Sequence, residues 1–420
     1  MSAQPMNRSL YRLLEAVDQS RTLQMAVISA ILLVSGLPLF SVIDDMVQHD
    51  VVLYRTVASD LARGIMPYRD RVLEYPPYAI PVFALPYLAG EAHYAESFKL
   101  CAIIADTVVK CLLLGFGLRE NKGIRSLIPL ALYALAVPFM RYFYLQRYDV
   151  FPALISVASI WLFARGRYCW SGVTLAVGIG MKLYPAVFLP ILLVLAVQRR
   201  KSRPFLVGLV AGIAPLVLSS LFAPWWRFMS YHAERGLQVE SLYSSILWMT
   251  HHFGVTNPKW TGGHGCMELH GPAADALLPW AKLCFAGTVS ISVFVACLAA
   301  KRSWQLSASG IARLLLLPLL GFVAFNQVLS PQYMIWLLPV AAMAGFKGIY
   351  VPLALSIAAM LTPTFYPVPD YMEGINFSET AGLVLRNTIL VVAWCVLMLQ
   401  TIRLAREAGK QQLIQPTGVL

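Results

Sequence analysis

The acidic and basic residues best placed to do chemistry lie in one stretch, residues 44–77, directly after the first membrane-length apolar segment. Its six carboxylates are Asp44, Asp45, Asp50, Asp60, Asp70 and Glu74, and its four arginines are Arg55, Arg63, Arg69 and Arg71. Only 13% of the chain is charged, so a cluster of this size indicates contact with a polar ligand. A carboxylate held at the edge of a membrane is partly desolvated, which raises its pKa toward the range of a general base.

Asp50 is the candidate base in this stretch. Residues 51–63 follow it and can end as a helix at Gly64. Their apolar positions recur at helical spacing and are Val52, Leu53, Val57 and Leu61. We expect an amphipathic helix along the membrane interface, with Asp50 at its start. Asp44 and Asp45 are alternative bases, and a plain helix N-cap is the alternative role for Asp50.

Two further charged residues lie beside helix-breaking prolines. Glu74 is followed by prolines whose restricted backbone would fix its approach, so it could bind substrate, position the base or replace it. Lys182 lies where two short apolar segments, 170–181 and 183–198, meet. A lysine at such a break is costly unless it snorkels or binds an anion.

Two other groups of reactive residues leave alternatives open. One loop carries His251, His252, His264, Cys266 and His270. This loop could bind zinc, although no catalytic zinc spacing is present, and the sequence therefore predicts no metal. Asp106 and Lys110 lie four residues apart in one apolar segment, where they could pair with each other or act as a transport relay.

The elements that position these residues are membrane helices. The chain is 58% hydrophobic with a mean hydropathy of +0.66, and its apolar runs are continuous, which predicts an all-α polytopic membrane protein. The net charge of +12 fits topology-setting loops, and no basic soluble domain is present to bind nucleic acid. About 12 transmembrane helices are expected, near residues 22–43, 96–118, 124–140, 149–164, 170–181, 183–198, 204–223, 277–299, 309–325, 332–346, 348–362 and 381–402.

The basic clusters orient these helices. With the clusters on the cytoplasmic side, both termini lie inside and residues 1–420 form a single transmembrane domain. Residues 44–95 then form the first outer loop, in which the proline-bearing segment 78–90 is re-entrant, and residues 224–276 form a long outer loop. Five basic residues fall outside against this tendency: Arg141, Arg147, Lys182, Arg227 and Arg235. They either bind a phosphate or form ion pairs with outer carboxylates.

Several motifs follow one another in the predicted outer loops. They are Asp50-Val51-Val52-Leu53-Tyr54, then residues 64–70 with Glu74-Tyr75-Pro76-Pro77, residues 178–185, residues 235–241, and Ser330-Pro331-Gln332-Tyr333 with Trp336 and Pro339. Together they resemble the C-type integral membrane glycosyltransferases, and more narrowly glycosyltransferase family 87, which includes polyprenol-phosphate-mannose-dependent α-mannosyltransferases. The resemblance extends from about Asp50 to Pro339. Two places depart from the family pattern, the additional acidic pair at 44–45 and residues 145–149, where some members have a Gly-Gln-Asn type sequence.

This resemblance implies a C-type glycosyltransferase fold and a metal-independent, inverting transfer with Asp50 as the base. It also implies that Lys182 and Arg235 contact the donor phosphate and that Glu240 contacts the sugar or the acceptor. The other motif residues that it implies in substrate binding are Tyr54, Glu74, Tyr184, Gln238, Gln332 and Tyr333.

The implied donor is a polyprenyl-phosphate sugar, which is a substrate, and no cofactor is expected. The sugar is a hexose, with mannose as the default, or a pentose, and the acceptor is a glycolipid or glycan. Membrane lipids are the remaining partners, and the site would face the periplasmic side of the plasma (inner) membrane. The alternatives are a lipid-linked saccharide flippase or secondary transporter, and a glycan ligase or polymerase. The absence of an internal sequence repeat favours the transferase over the transporter.

Overall fold

The structure is a computed structural model that describes residues 20–40, 49–263, 265–303, 305–345, 349–365 and 375–414. Its helices are α1 (Arg21–Gly36), α2 (His49–Ala62), α3 (Ile80–Tyr87), α4 (Tyr94–Glu120), α5 (Ile128–Ala136), α6 (Arg141–Gln146), α7 (Val150–Ala164), α8 (Tyr168–Met181), α9 (Leu189–Gln198), α10 (Ser202–Ser219), α11 (Phe228–Ala233), α12 (Leu242–His252), α13 (Pro272–Arg302), α14 (Ala308–Ala324), α15 (Met334–Ala344), α16 (Tyr350–Leu361) and α17 (Phe377–Ile414). The strands are β1 (Leu237–Gln238), β2 (Lys259–Gly263) and β3 (Cys266–His270).

Several helices have the length and composition of membrane spans. Those of the described residues that are long and apolar enough to cross a bilayer are Arg21–Leu39, Glu91–Glu120, Ser202–Ser219, Pro272–Arg302 and Phe377–Gly409. The remaining apolar helices are shorter. The prediction of an all-α, multi-pass membrane protein is therefore confirmed, whereas the count of about twelve spans stays a prediction.

Prolines shorten several of the predicted spans. The segments predicted at 124–140, 183–198 and 332–346 each begin as a 3₁₀ turn and continue as a short α-helix. A proline in a first turn has no N–H to contribute and a fixed φ, so it favours a fresh helix start at that point. The prolines concerned are Pro129, Pro190 and Pro331.

The centre of the protein lies at α14 and α15. Every residue of α15 is buried, and so are most residues of α14. A helix that is apolar on all sides belongs inside a helical bundle. The start of α15 carries Trp336 and follows Tyr333, so the interior of the bundle leads directly to the motif that the sequence placed in an outer loop.

Residues 49–62 form the helix that the sequence predicted after the first span. It ends before Gly64, whose φ of +79° suits a glycine. Tyr54 is fully buried and stacks on Phe83 of α3, with ring centroids 4.3 Å apart. Val52, on the face predicted to lie against the membrane, is 44% exposed, while the Tyr54 face packs against α3. The position of α2 along the membrane interface stays a prediction, and Asp44 and Asp45 lie outside the described residues.

The long loop predicted at 224–276 contains regular structure that the sequence reading did not anticipate. Two short helices, α11 and α12, lie in it, with an antiparallel sheet in the strand order β1-β3-β2. Gly265 has a φ of +69°, which only glycine adopts without strain, and it helps turn the chain from β2 into β3. The turn brings Gly265 to a cavity that is lined mainly by residues of the loops and turns between helices.

Candidate active site

A cavity of about 340 Å³ lies where these helix ends and loops meet. Seven of the residues predicted to form the catalytic and substrate-binding site line it: Asp50, Glu74, Lys182, Tyr184, Arg235, Gln332 and Tyr333. They come from widely separated parts of the chain, so the fold brings together most of the predicted site. Whether they bind substrate stays a prediction.

Three ion pairs lie at this cavity, and each has at least one partner that lines it. Arg147 contacts the carboxylate of Asp50, the Nη2 atom of Arg235 lies 2.6 Å from Glu74 Oε2, and the Nζ atom of Lys182 lies 2.5 Å from Asp149 Oδ1. All six side chains are less than a quarter exposed. The three cations and three carboxylates cancel in charge. An anionic ligand in the cavity would therefore meet several positive charges and no net negative charge.

Asp50 lies in the first turn of α2 and its carboxylate faces the cavity. Its Oδ2 atom contacts Arg147 and also accepts a hydrogen bond from the Tyr54 hydroxyl at 3.4 Å. Tyr54 is described but does not line the cavity; it lies behind Asp50, where its hydroxyl also approaches that of Tyr75 at 3.4 Å. Tyr54 therefore supports the orientation of Asp50 from the protein interior.

Lys182 lies in the break between α8 and the following 3₁₀ turn, as the sequence predicted. Its ammonium lies 4.8 Å from the ring centroid of Trp336 and 4.9 Å from that of Tyr148. Burial lowers the pKa of Lys182, while the carboxylate of Asp149 acts in the opposite direction. The break thus presents a cation with little water around it, which strengthens its attraction for an anion.

Glu74 and Arg235 form the second polar wall. Burial raises the pKa of Glu74, although Arg235 and Lys182 both oppose this. His232 lies 2.9 Å from the Glu74 carbonyl oxygen through Nε2. Burial and the nearby Arg235 lower the pKa of His232 to about 4, so the neutral ring donates this hydrogen bond at pH 7.

Gln238 and Glu240 do not line the cavity. Gln238 Oε1 accepts hydrogen bonds from the backbone N–H groups of Leu329 and Glu240, at 3.2 and 3.3 Å. Glu240 is 1% exposed and pairs with Arg386 at 3.3 Å. Both side chains therefore hold protein segments together, and their predicted contact with substrate stays a prediction.

The structure adds residues at the cavity to which the sequence assigned no role in the site. Tyr148, His232 and Trp336 line the cavity, and Asp149 lies behind Lys182. Some signals were available: Asp149 is a charge directly before the apolar helix α7, and Trp336 follows Tyr333 at helical spacing. The rings of Tyr333 and Trp336 do stack, with centroids 3.9 Å apart.

The two alternative groups of reactive residues lie elsewhere. Within the described residues no group of three or more His, Cys, Asp and Glu side chains could hold a metal ion, and His264 lies outside that part. His251 contacts the Thr256 carbonyl oxygen instead, at 2.9 Å. Asp106 and Lys110 form the predicted pair at 2.7 Å, and neither lines the cavity.

The structure therefore defines a multi-pass helical membrane protein with a charged cavity. The sequence profile of glycosyltransferase family 87 matches residues 73–325, which is more than half of the chain. The chain belongs to glycosyltransferase family 87 and is an enzyme that transfers sugars. A search of curated proteins finds none that matches the chain significantly. The matched segment includes Glu74, Lys182 and Arg235, while Asp50 precedes it.

Proposed function

We propose that this protein transfers a hexose, with mannose as the default, or a pentose from a polyprenyl-phosphate sugar to a glycolipid or glycan acceptor. The reaction inverts the anomeric centre, and Asp50 is the base. The observation that carries this proposal is that a carboxylate, Asp50, faces the same cavity as the cations of Lys182 and Arg235. Lysine and arginine bind phosphate groups well, so a lipid phosphate is a suitable ligand for these cations.

The proposed reaction exchanges one bond at the anomeric carbon for another. The acceptor hydroxyl oxygen attacks that carbon from the side opposite the phosphate, the bond to the phosphate oxygen breaks, and the hydroxyl proton passes to Asp50. The leaving polyprenyl phosphate gains one negative charge. Lys182 and Arg235 stabilise this charge as it develops, in a site with little competing water.

Arg147 connects proton transfer to Asp50 with the departure of the phosphate. It balances the Asp50 carboxylate before the reaction. Once Asp50 has taken the proton, the carboxyl group is neutral and no longer balances the guanidinium. The positive charge of Arg147 then offsets the charge that the departing phosphate has gained. Side-chain cations thus supply the positive charge for the reaction, in keeping with the proposed independence from metal ions and cofactors.

The test of this function is a transfer assay with the purified protein. Polyprenyl-phosphate mannose, arabinose and glucose, each radiolabelled, are incubated with a lipid extract of the host, with and without a chelator. We expect one donor to label a glycolipid or glycan at equal rates under both conditions. A search for product on the two sides of oriented vesicles tests the proposed periplasmic site on the inner membrane. Failure of all three donors would contradict the proposal.

The alternative functions can be told apart by the donor that the protein uses. Transport without chemistry is not favoured, because the chain belongs to a family of sugar-transferring enzymes. A glycan ligase or polymerase would take its glycan from a diphosphate-linked lipid, so a diphosphate-linked donor is included in the same assay. We expect the monophosphate-linked donor to react and the diphosphate-linked one to remain unused.

Gly265 provides a test of the Glu74 wall. A Cβ atom at Gly265 would lie 2.6 Å from Glu74 Oε2, so Gly265→Ala must displace the carboxylate that pairs with Arg235. We expect transfer to fall by about 10- to 100-fold, because small misplacements of a site have effects of this size. Gly254→Ala is the matched control: its φ is +72°, and nothing lies within 4 Å of its Cβ position. Equal rates for the two variants would argue against a role for Glu74.

Glu240 is expected to make stability depend on pH. Burial raises its pKa to about 7, despite the opposing charge of Arg386. Between its ordinary pKa of 4.5 and about 7, the folded state holds a proton that the unfolded state releases, so the free energy of unfolding falls as the pH rises. The effect reaches about 3 kcal/mol.

We therefore expect the melting temperature of the protein in detergent to fall over this pH range, and to fall less in Glu240→Gln. The exposed Glu234 in the same segment provides the control, since Glu234→Gln should keep the wild-type slope. Parallel slopes for wild type and Glu240→Gln would show that this carboxyl group does not set the dependence.

A further inference from the structure

Asp149 is a buried carboxylate that directly precedes helix α7. It is 1% exposed, and within the described residues it makes no side-chain capping hydrogen bond to that helix. Its Oδ1 atom instead accepts two hydrogen bonds, from Lys182 Nζ at 2.5 Å and from Trp336 Nε1 at 2.7 Å. Helix capping, the ordinary use of an aspartate at this position, therefore does not account for it.

The two donors belong to elements that Asp149 joins. Lys182 lies in the break after α8, and Trp336 lies in the buried helix α15. The Trp336 ring stacks between Tyr184 and Tyr333, with centroid distances of 4.3 and 3.9 Å, so its orientation is fixed. The same Asp149 oxygen atom therefore accepts from the fixed indole N–H and from the Lys182 ammonium.

The surroundings of the Lys182 ammonium make a charged state costly without this carboxylate. Besides Asp149, the charged groups that face it are Glu74 and Arg235. The imidazole of His232 and the phenols of Tyr148 and Tyr333 are the other titratable groups around it. Burial lowers the pKa of Lys182, and Asp149 opposes this more strongly than Glu74 does. Removing the charge of Asp149 would therefore allow the ammonium to lose its proton at a lower pH.

We propose that Asp149 is a positioning residue, which keeps the Lys182 side chain charged and directed into the cavity for a phosphate ligand. It acts through Lys182 and does not itself line the cavity. The inference rests on the proposed function, in which that ligand is the phosphate of the lipid donor. The site then has two carboxylates with different roles: Asp149 keeps Lys182 charged, and Asp50 accepts the proton of the acceptor hydroxyl.

The test measures binding of polyprenyl phosphate, which carries no sugar, to the full-length protein in detergent from about pH 6.5 to about pH 9.5. We expect wild-type affinity to hold into the alkaline range. In Asp149→Asn the affinity should fall by about tenfold toward the alkaline end of this range and recover toward the wild-type value at its lower end. A purely structural role for Asp149 would lower the affinity equally at every pH.

Two variants control the measurement. Asp106→Asn changes another buried aspartate that pairs with a lysine, at 2.7 Å and away from the cavity, and should leave the binding curve unchanged. Lys182→Arg in the Asp149→Asn background should abolish the pH dependence, because a guanidinium stays charged throughout this range. If Asp149→Asn fails to fold, Asp149→Glu replaces it: because glutamate keeps the negative charge, the wild-type pH dependence supports the proposal, and a loss of affinity confined to alkaline pH overturns it.

Parallel curves for wild type and Asp149→Asn would overturn the inference, as would a wild-type protein that binds no polyprenyl phosphate. The proposed function fails in a different way. A protein that binds polyprenyl phosphate with the expected dependence on Asp149, yet transfers no sugar from any of the donors, would retain the role of Asp149 and lose the assigned reaction.

Discussion

Asp50→Asn is expected to reduce sugar transfer by about 10²–10⁴-fold, the usual contribution of a general base. Asparagine keeps the size of the side chain and can still accept hydrogen bonds, but it cannot take the acceptor proton. It also removes the charge that Arg147 balances, so the loss combines an absent base with an unbalanced cation in the cavity. Initial rates of label transfer from the polyprenyl-phosphate donor measure it, after gel filtration has shown normal folding.

Asp60 offers a matched control on the same helix. It is buried and pairs with Arg71 at 3.0 Å, but it does not line the cavity. We expect Asp60→Asn to transfer sugar at close to the wild-type rate. If Asp50→Asn instead retained full activity, the base would have to be sought at Glu74, or at Asp44 or Asp45, which lie outside the described residues.

Much of the candidate site could be predicted because its residues are charged and lie at positions where charged residues are unusual. Lys182 interrupts an apolar hairpin, Glu74 precedes two prolines, and Arg235 lies in a loop that the charge pattern places outside. Each of these features is local and is visible in the sequence alone. The fold then brings all three side chains to one cavity.

The partners of these residues could not be predicted in the same way. Asp149 and Trp336 share a hydrogen bond although 187 residues separate them, and only the packing of α7 against α15 brings them together. The pairing of Asp50 with Arg147 likewise depends on how α2 sits beside the loop after α6. Sequence patterns of single helices carry no information on such contacts between helices.

The fold, too, could be predicted only in part from the sequence. The apolar runs predicted the helices, and Gly64 predicted the end of α2. The small sheet at residues 237–270 was not predicted. Its strands are short and lie between polar residues and glycines, a composition that is also typical of loops. Glu240 was selected by its motif, but its contact is with Arg386, a residue of the distant helix α17.

Lys182→Met is expected to lower the kcat/KM for the lipid donor by about 10²–10³-fold, the usual effect of removing one group that stabilises a developing oxyanion. Methionine approximates the length of the lysine side chain, so the change is mainly one of charge. The loss should appear in kcat as well as in donor affinity, because the phosphate carries its largest charge after the bond has broken. Steady-state rates over a range of donor concentrations separate the two effects.

The chain contains its own control for the structural part of this effect. Lys110 pairs with Asp106 at 2.7 Å much as Lys182 pairs with Asp149 at 2.5 Å, and all four residues have polar atoms in buried surroundings. Each lysine-to-methionine change leaves a buried carboxylate without its cation, which costs about 3–5 kcal/mol of stability in either case. We therefore expect similar losses of melting temperature in Lys110→Met and Lys182→Met, but a large loss of donor use in Lys182→Met alone. Comparable activity in two equally destabilised variants would mean that the cation at the helix break serves the fold and has no part in the reaction.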